Sequence, residues 1–292
     1  MNRLFRPRVF LAATGVVAAI AATAGWSAQD STASSPAGAP HTASLTAAQV
    51  NSAPTTTRST RPVCVKSGPR GHCQFGRYAG ITGASSHPYV DQNVWSPISG
   101  WHQTLHATSP GNWYVAASMP SGNTGVVSYP SLGAQYGQTT GKATPLSDFK
   151  SMYSSFNENM NANSGTSAWA AYDIWLGPSS GTQATHEVMI QHDFANNGAC
   201  TPEASATFGG SGGVPVQKWN LCQFGSELVW KLTGGNEHSG TVDILAMLNW
   251  LVDHGYMAKD TGLFSIGYGW EICSTGGQNE NFQVNSYSVS YG

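Results

Sequence analysis

Short runs of alternating apolar and polar residues recur through most of this chain, separated by clusters of Gly, Ser, Asn and Pro. Trp113-Tyr114-Val115, Gly125–Tyr129, Ala168–Leu176, Glu227–Leu232 and Phe282–Tyr291 are examples. Alternation at a period of two puts one set of side chains on each face of a strand. Many short strands between turn residues argue against a helical bundle or a βαβ fold and predict a sandwich or barrel. In the last run Phe282 and Val284 are in one phase while Tyr287, Val289 and Tyr291 are in the other. A bulge near Asn285-Ser286 reconciles them.

One segment departs from this pattern. Val242–His254 has apolar residues at helical spacing. Thr241 or Ser239 is the expected N-cap, Asp243 suits the first turn, and Gly255 is placed to end the helix. The helix is expected to pack on the outside of a sheet and to carry no chemistry.

The N-terminus carries Arg3, Arg6 and Arg8 ahead of an apolar, Ala-rich run from Val9 to Ala24. Ala22-Thr23-Ala24 supplies a small-x-small cleavage site, with Ala28 as the alternative, so residues 1–28 read as a secretory signal peptide. The run is short for a membrane span. Residues 29–62 are Ser, Thr, Ala and Pro with almost no large apolar side chain, the composition of a disordered linker. One folded domain is then expected over 63–292. Export permits disulfides. Among Cys64, Cys73, Cys200, Cys222 and Cys273, proximity in sequence favours Cys64–Cys73 and Cys200–Cys222 and leaves Cys273 free.

Charged residues make up only 10% of the chain, against roughly 25% in an average globular protein. The formal net charge is -2. No basic patch recommends a nucleic-acid partner. Low charge, 34 Gly and many aromatics fit a secreted β protein with a Ser, Thr and Asn surface.

Two stretches set a carboxylate into an otherwise apolar strand. In His186–Gln191, period two puts Glu187, Met189 and Gln191 on one face. In Gly267–Cys273, Gly267, Gly269, Glu271 and Cys273 share a face. A carboxylate on a half-apolar surface is costly unless it is paired, hydrogen-bonded or lining a wet cleft. Two isolated Glu residues on aromatic-rich strands therefore point to a two-carboxylate site; the alternative is two solvent-facing residues of ordinary strands. His186, His192 and Asp193 lack a second ligand at a metal-site spacing, and no Cys-x-x-Cys or His-Glu-x-x-His occurs. Neither a metal nor a cofactor is assigned.

Asn93-Val94-Trp95, Ala171–Leu176, Glu187-Val188-Met189-Ile190, Val284–Tyr287 and a single helix between the two glutamate strands resemble glycoside hydrolase family 12. The resemblance is strong from Ala168 onward and weaker before it. That family consists of secreted endo-β-1,4-glucanases, some preferring xyloglucan. The resemblance implies an all-β jelly-roll sandwich of two curved antiparallel sheets with one α-helix. It implies Glu187 as nucleophile, Glu271 as general acid/base, and Asp173 as the carboxylate that hydrogen-bonds near the nucleophile; adjacent strands are expected to hold the two glutamates at the separation retention needs. Asn93 and Trp95 would bind sugar on the non-reducing side, and Met189, Gln191 and Cys273 would line the cleft beside the glutamates. Gln191 stands where the family usually has Trp, Cys273 where it usually has an aromatic, and Ser96 where a Gly often follows the Trp. These departures leave the substrate open among cellulose, xyloglucan and mixed-linkage β-glucan. The implied protein is extracellular and monomeric, has a polysaccharide substrate, and contacts no membrane once the signal is removed. A β-1,4-xylanase of the same clan and a non-catalytic carbohydrate-binding jelly roll are the alternatives.

Overall fold

The computed structural model describes residues 64–84, 87–136, 141–196 and 199–292. The expected signal peptide and the 29–62 linker lie outside the described residues. In chain order the first strands are β1 (Cys64–Ser67), β2 (His72–Gln74), β3 (Tyr89–Asp91), β4 (His102–Ser109), β5 (Asn112–Ser118) and β6 (Ser131–Gln135). There follow β7 (Thr144–Pro145), β8 (Met152–Met160), β9 (Thr166–Pro178), β10 (His186–Ala195), β11 (Ala204–Phe208) and β12 (Gln217–Phe224). The last are β13 (Glu227–Leu232), β14 (Ser239–Asp243), the helix α1 (Ile244–Asp253), β15 (Thr261–Thr275) and β16 (Asn279–Tyr291).

These strands build two sheets. A six-stranded sheet runs β1-β4-β5-β16-β8-β14, and a ten-stranded sheet runs β11-β12-β13-β10-β9-β15-β6-β3-β2, with β7 paired to β15. The alternation read from the sequence decides which side chains meet between them. On β9, Ala168, Ala170, Tyr172, Ile174 and Leu176 are fully buried, while Trp169, Asp173 and Trp175 are not. Trp113, Trp230, Trp270, Tyr268 and Phe282 fill the same interior, with Trp113 and Trp270 edge to face. Burying such aromatics is the main stabilising term, since each removes some 150–250 Å² from water. The fold is the jelly-roll sandwich the sequence predicts.

Several details differ from expectation. The sheets are not wholly antiparallel, because β10 and β13 pair in parallel. The chain leaves β10 for the edge strand β11, and antiparallel turns then bring β13 back beside β10 in the same direction. Gly125–Tyr129 forms no regular strand; Ser128 only bridges Val94 and Ile272. The helix cap is Asp243, whose side chain accepts from Ala246 N at 3.0 Å. Ser239 and Thr241 belong instead to β14, which runs directly into the helix. The predicted bulge in β16 is present, as a register shift between Val284 and Ser286.

Both expected disulfides are formed, Cys64–Cys73 and Cys200–Cys222, and Cys273 is free. No helix among the described residues is long and apolar enough to cross a membrane.

Candidate active site

The outer face of the ten-stranded sheet carries a second, smaller apolar cluster of Ala171, Met189, Cys222 and Val229, against which Trp169 and Cys200 pack. This cluster is the floor on which the polar residues stand. Glu187 is paired in register with Trp175 of β9 on one side and with Glu227 of β13 on the other. Asp173 pairs with Met189 and so lies one diagonal step from Glu187, on the same face. Trp175 Nε1 donates to Asp173 Oδ2 at 3.1 Å, which holds that carboxyl at the mouth of the row. Asp173 and Glu187 are hydrogen-bonding neighbours.

Glu271 lies on β15, in register with Trp169, whose Nε1 donates to Glu271 Oε2. The two glutamates are therefore on second-neighbour strands with β9 between them, not on adjacent strands as expected. Intervening β9 contributes Asp173 and Trp169, one for each glutamate. Tyr129 lies between the two ends of this row. Its hydroxyl donates to Ala171 O at 3.0 Å, and its ring lies against Gly267.

Burial dominates the electrostatics. Glu271 has its pKa raised to about 8, first by desolvation, then by Glu227 and Glu187; the Trp169 N–H opposes the rise. Burial also raises Glu187, and the neighbouring Asp173 and Glu227 raise it further. Asp173 is raised by burial and by Glu271, and lowered by its Trp175 and Glu187 hydrogen bonds. Carboxyls this close resist full ionisation because each charge opposes the next. The Asp173–Glu187 pair and Glu271 are accordingly harder to ionise than isolated carboxyls.

A cavity of about 310 Å³ opens beside these groups, lined among others by Trp169, Gln191, Phe224, Glu227, Lys231 and Glu271. Gln191 is thus brought to the cavity as expected, though its own side chain is 5% exposed. Met189 is 2% exposed and supports the floor rather than the wall. Cys273 needs correction: it is 0% exposed and its thiol is held up by burial and by Glu271, so it lies beneath the surface and lines nothing. The register shift between Ile272 and Ser274 ends the simple alternation that put it in the cleft.

Asn93 and Trp95 do not line the cavity. They follow β3, with Asn93 at φ 41° and its N–H donating to Asp91 Oδ1 at 3.0 Å. Trp95 is 47% exposed. Its N–H donates to Val127 O, and Val127 N–H donates to Ile272 O, so Trp95 stands two backbone spacings from the residue after Glu271. That is about 10 Å at the usual strand separation, along the face from the cavity.

Sequence reasoning missed Glu227, Trp169, Tyr129 and Phe224, because none sits in a motif and the register alone brings them to the glutamates. His192 is a core residue. It stacks on Phe156, and its Nδ1 and Nε2 meet Glu237 O at 2.9 Å and Tyr268 OH at 3.2 Å.

No family model matches the sequence, and no curated protein is significantly similar to it. Solved structures are. The xyloglucanase domain of NopAA, a type three effector from Sinorhizobium fredii, solved with cellobiose, is 28% identical with a TM-score of 0.61 and covers 79% of this chain and 100% of its own. A family 12 xyloglucanase from Bacillus licheniformis is 23% identical with a TM-score of 0.63, over 78% of this chain and 100% of its own. Endoglucanase 3 of Trichoderma harzianum, from family GH12, shares the fold at 17% identity and a TM-score of 0.62, over 78% and 97%. With the sandwich, its single helix and the glutamate strands in this order, the chain has the fold of these family 12 glycoside hydrolases and is similar to them.

Proposed function

We propose that the protein is a secreted, monomeric endo-β-1,4-glucanase acting with retention on cellulose-type or xyloglucan β-glucans. The observation that carries this is the row Glu187–Asp173–Glu271 on one face of the ten-stranded sheet, with each glutamate held by a β9 side chain. Glu187 attacks the anomeric carbon, and Asp173 takes up the shared proton so that Glu187 is ionised for the attack. Glu271 protonates the leaving oxygen, then as carboxylate withdraws the proton from the water that releases the glycosyl-enzyme. Retention requires carboxyls roughly 5–5.5 Å apart, with no water between them in the first step. The elevated Glu271 pKa suits the acid, since the group must arrive protonated. Trp175 and Phe224, exposed at 40% and 57%, offer faces on which pyranose rings stack.

The NopAA domain and the Bacillus enzyme are xyloglucanases, which favours a branched β-glucan among the possible substrates. Reducing-sugar release from xyloglucan, carboxymethyl-cellulose and xylan separates the choices, with xylan expected to be the poorest. The residue roles are tested by rescue. Glu187→Ala is expected to be inactive, and azide to restore turnover of an activated aryl β-glycoside as the α-glycosyl azide. Glu271→Ala is expected to keep activity on aryl glycosides whose leaving group needs no proton, with azide accelerating its second step to the β-azide. NMR detection of an α-anomer as the first product of the wild type would refute retention.

A further inference from the structure

The inner face of β10 carries a second cluster that the glycosidic site does not use. The register shift between Gln191 and Asp193 turns both His192 and Asp193 inward, where each is 0% exposed. Across the sandwich, Glu158 points in from β8 and is 3% exposed. No hydroxyl, amide or backbone N–H donates to any of the four carboxylate oxygens of Glu158 and Asp193. The group that covers them is the His238 imidazole, with Nδ1 3.0 Å from Asp193 Oδ2 and 3.4 Å from Glu158 Oε1.

Two fully buried carboxyls face one imidazole that is itself 59% exposed. One imidazolium cannot balance two carboxylates, and leaving a buried charge uncompensated costs several kcal/mol. A proton or a cation must supply the difference. The three ligand atoms lie within 4.8 Å of one another. Ligands about 2.0–2.1 Å from a tetrahedral zinc ion are about 3.3 Å apart along each edge, and the two edges here are 3.4 and 3.0 Å. The donor set of two carboxylates and an imidazole suits Zn²⁺, whereas Ca²⁺ requires six to eight oxygens. The exposed side of His238 leaves a route in and a fourth position open to water.

We propose that Glu158, Asp193 and His238 form a structural zinc site that fastens β10 to β8 and to the turn before β14.

The test uses the whole protein, stripped with chelator and titrated with zinc chloride by calorimetry. One Zn²⁺ per chain is expected, with a higher thermal unfolding midpoint, and no shift with calcium chloride. Glu158→Gln and His238→Ala, each shown to unfold cooperatively without metal, are expected to lose saturable binding and the rise in midpoint. Absence of saturable zinc binding by the folded wild type would overturn the proposal. So would zinc binding that survives Glu158→Gln, which would place the ion on surface histidines, or a midpoint shift specific to calcium.

Discussion

Glu187, Asp173, Glu227 and Glu271 share the outer face of one sheet, and the Glu227 charge raises the cost of ionising both Glu187 and Glu271. Glu227 is the one without an assigned chemical step. It is paired in register with Glu187 and lines the cavity with Glu271. Its charge is the second-largest cause of the raised Glu271 pKa, after burial. Glu227→Gln removes that charge and keeps the shape, so Glu271 should lose its proton at lower pH. The alkaline limb of kcat/KM on a cello-oligosaccharide is expected to move to lower pH, with the maximum rate little changed. A pH profile with an unmoved alkaline limb would show that Glu227 is not coupled to the acid. Glu187 and Glu271 were legible as isolated carboxylates on apolar strands, and Asp173 came from the family motif. Glu227 was not legible, because it opens its strand after Gly225-Ser226 and resembles any residue at a turn.

At the scale of the element, β15 shows how closely the strands must approach to hold Glu271. Gly269 shares the face of Glu271, and a Cβ there would meet Pro130 O at 2.0 Å and Ser131 Cα at 2.8 Å. Those are backbone atoms and cannot rotate away. The same approach lets Trp270 N–H donate to Pro130 O at 3.2 Å. Gly269→Ala must therefore push β15 away from the segment entering β6, with Glu271 only two residues on. Overpacking of this kind typically costs about 1–3 kcal/mol. Chemical denaturation should show that loss, and kcat should fall more than KM rises because the acid is displaced. Wild-type stability and kcat in Gly269→Ala would show that the contact is slack. The alternation of β9, β13 and β16 was readable because each buries one face against the core. The Gly125–Tyr129 segment was misread for the same reason: apolar side chains bury equally well from irregular backbone. The cap of α1 was misplaced because β14 runs into the helix without a loop, so Asp243 closes one element and caps the next.

For the whole molecule, buried titratable groups set the pH range of stability. Glu271, Glu187, Asp173, Glu227 and Glu158 all have raised pKa values, with burial the first cause in each. The native state then binds more protons than the unfolded chain above the ordinary carboxyl value. Their stabilising effect is complete below about pH 4.3 and is lost as pH rises, through about 8 for Glu271. His192 acts in the opposite sense. Burial lowers its pKa to about 4, so the fold loses stability as pH falls from the ordinary histidine value towards 4. With chelator present, thermal midpoints are expected to peak at mildly acidic pH and fall on either side, and Glu271→Gln should flatten the alkaline fall. A midpoint that rises steadily to pH 9 would contradict this. By itself the sequence determined the β class, the helix and the two glutamates, because period, turn chemistry and an isolated charge in an apolar run are local properties. Only the tertiary structure decided that β9 lies between those glutamates, that β13 returns parallel with Glu227, that Cys273 is sealed, and that Glu158, Asp193 and His238 meet. Each of these depends on strand order and register, which bring together residues far apart in the chain and leave no mark in any short stretch of it.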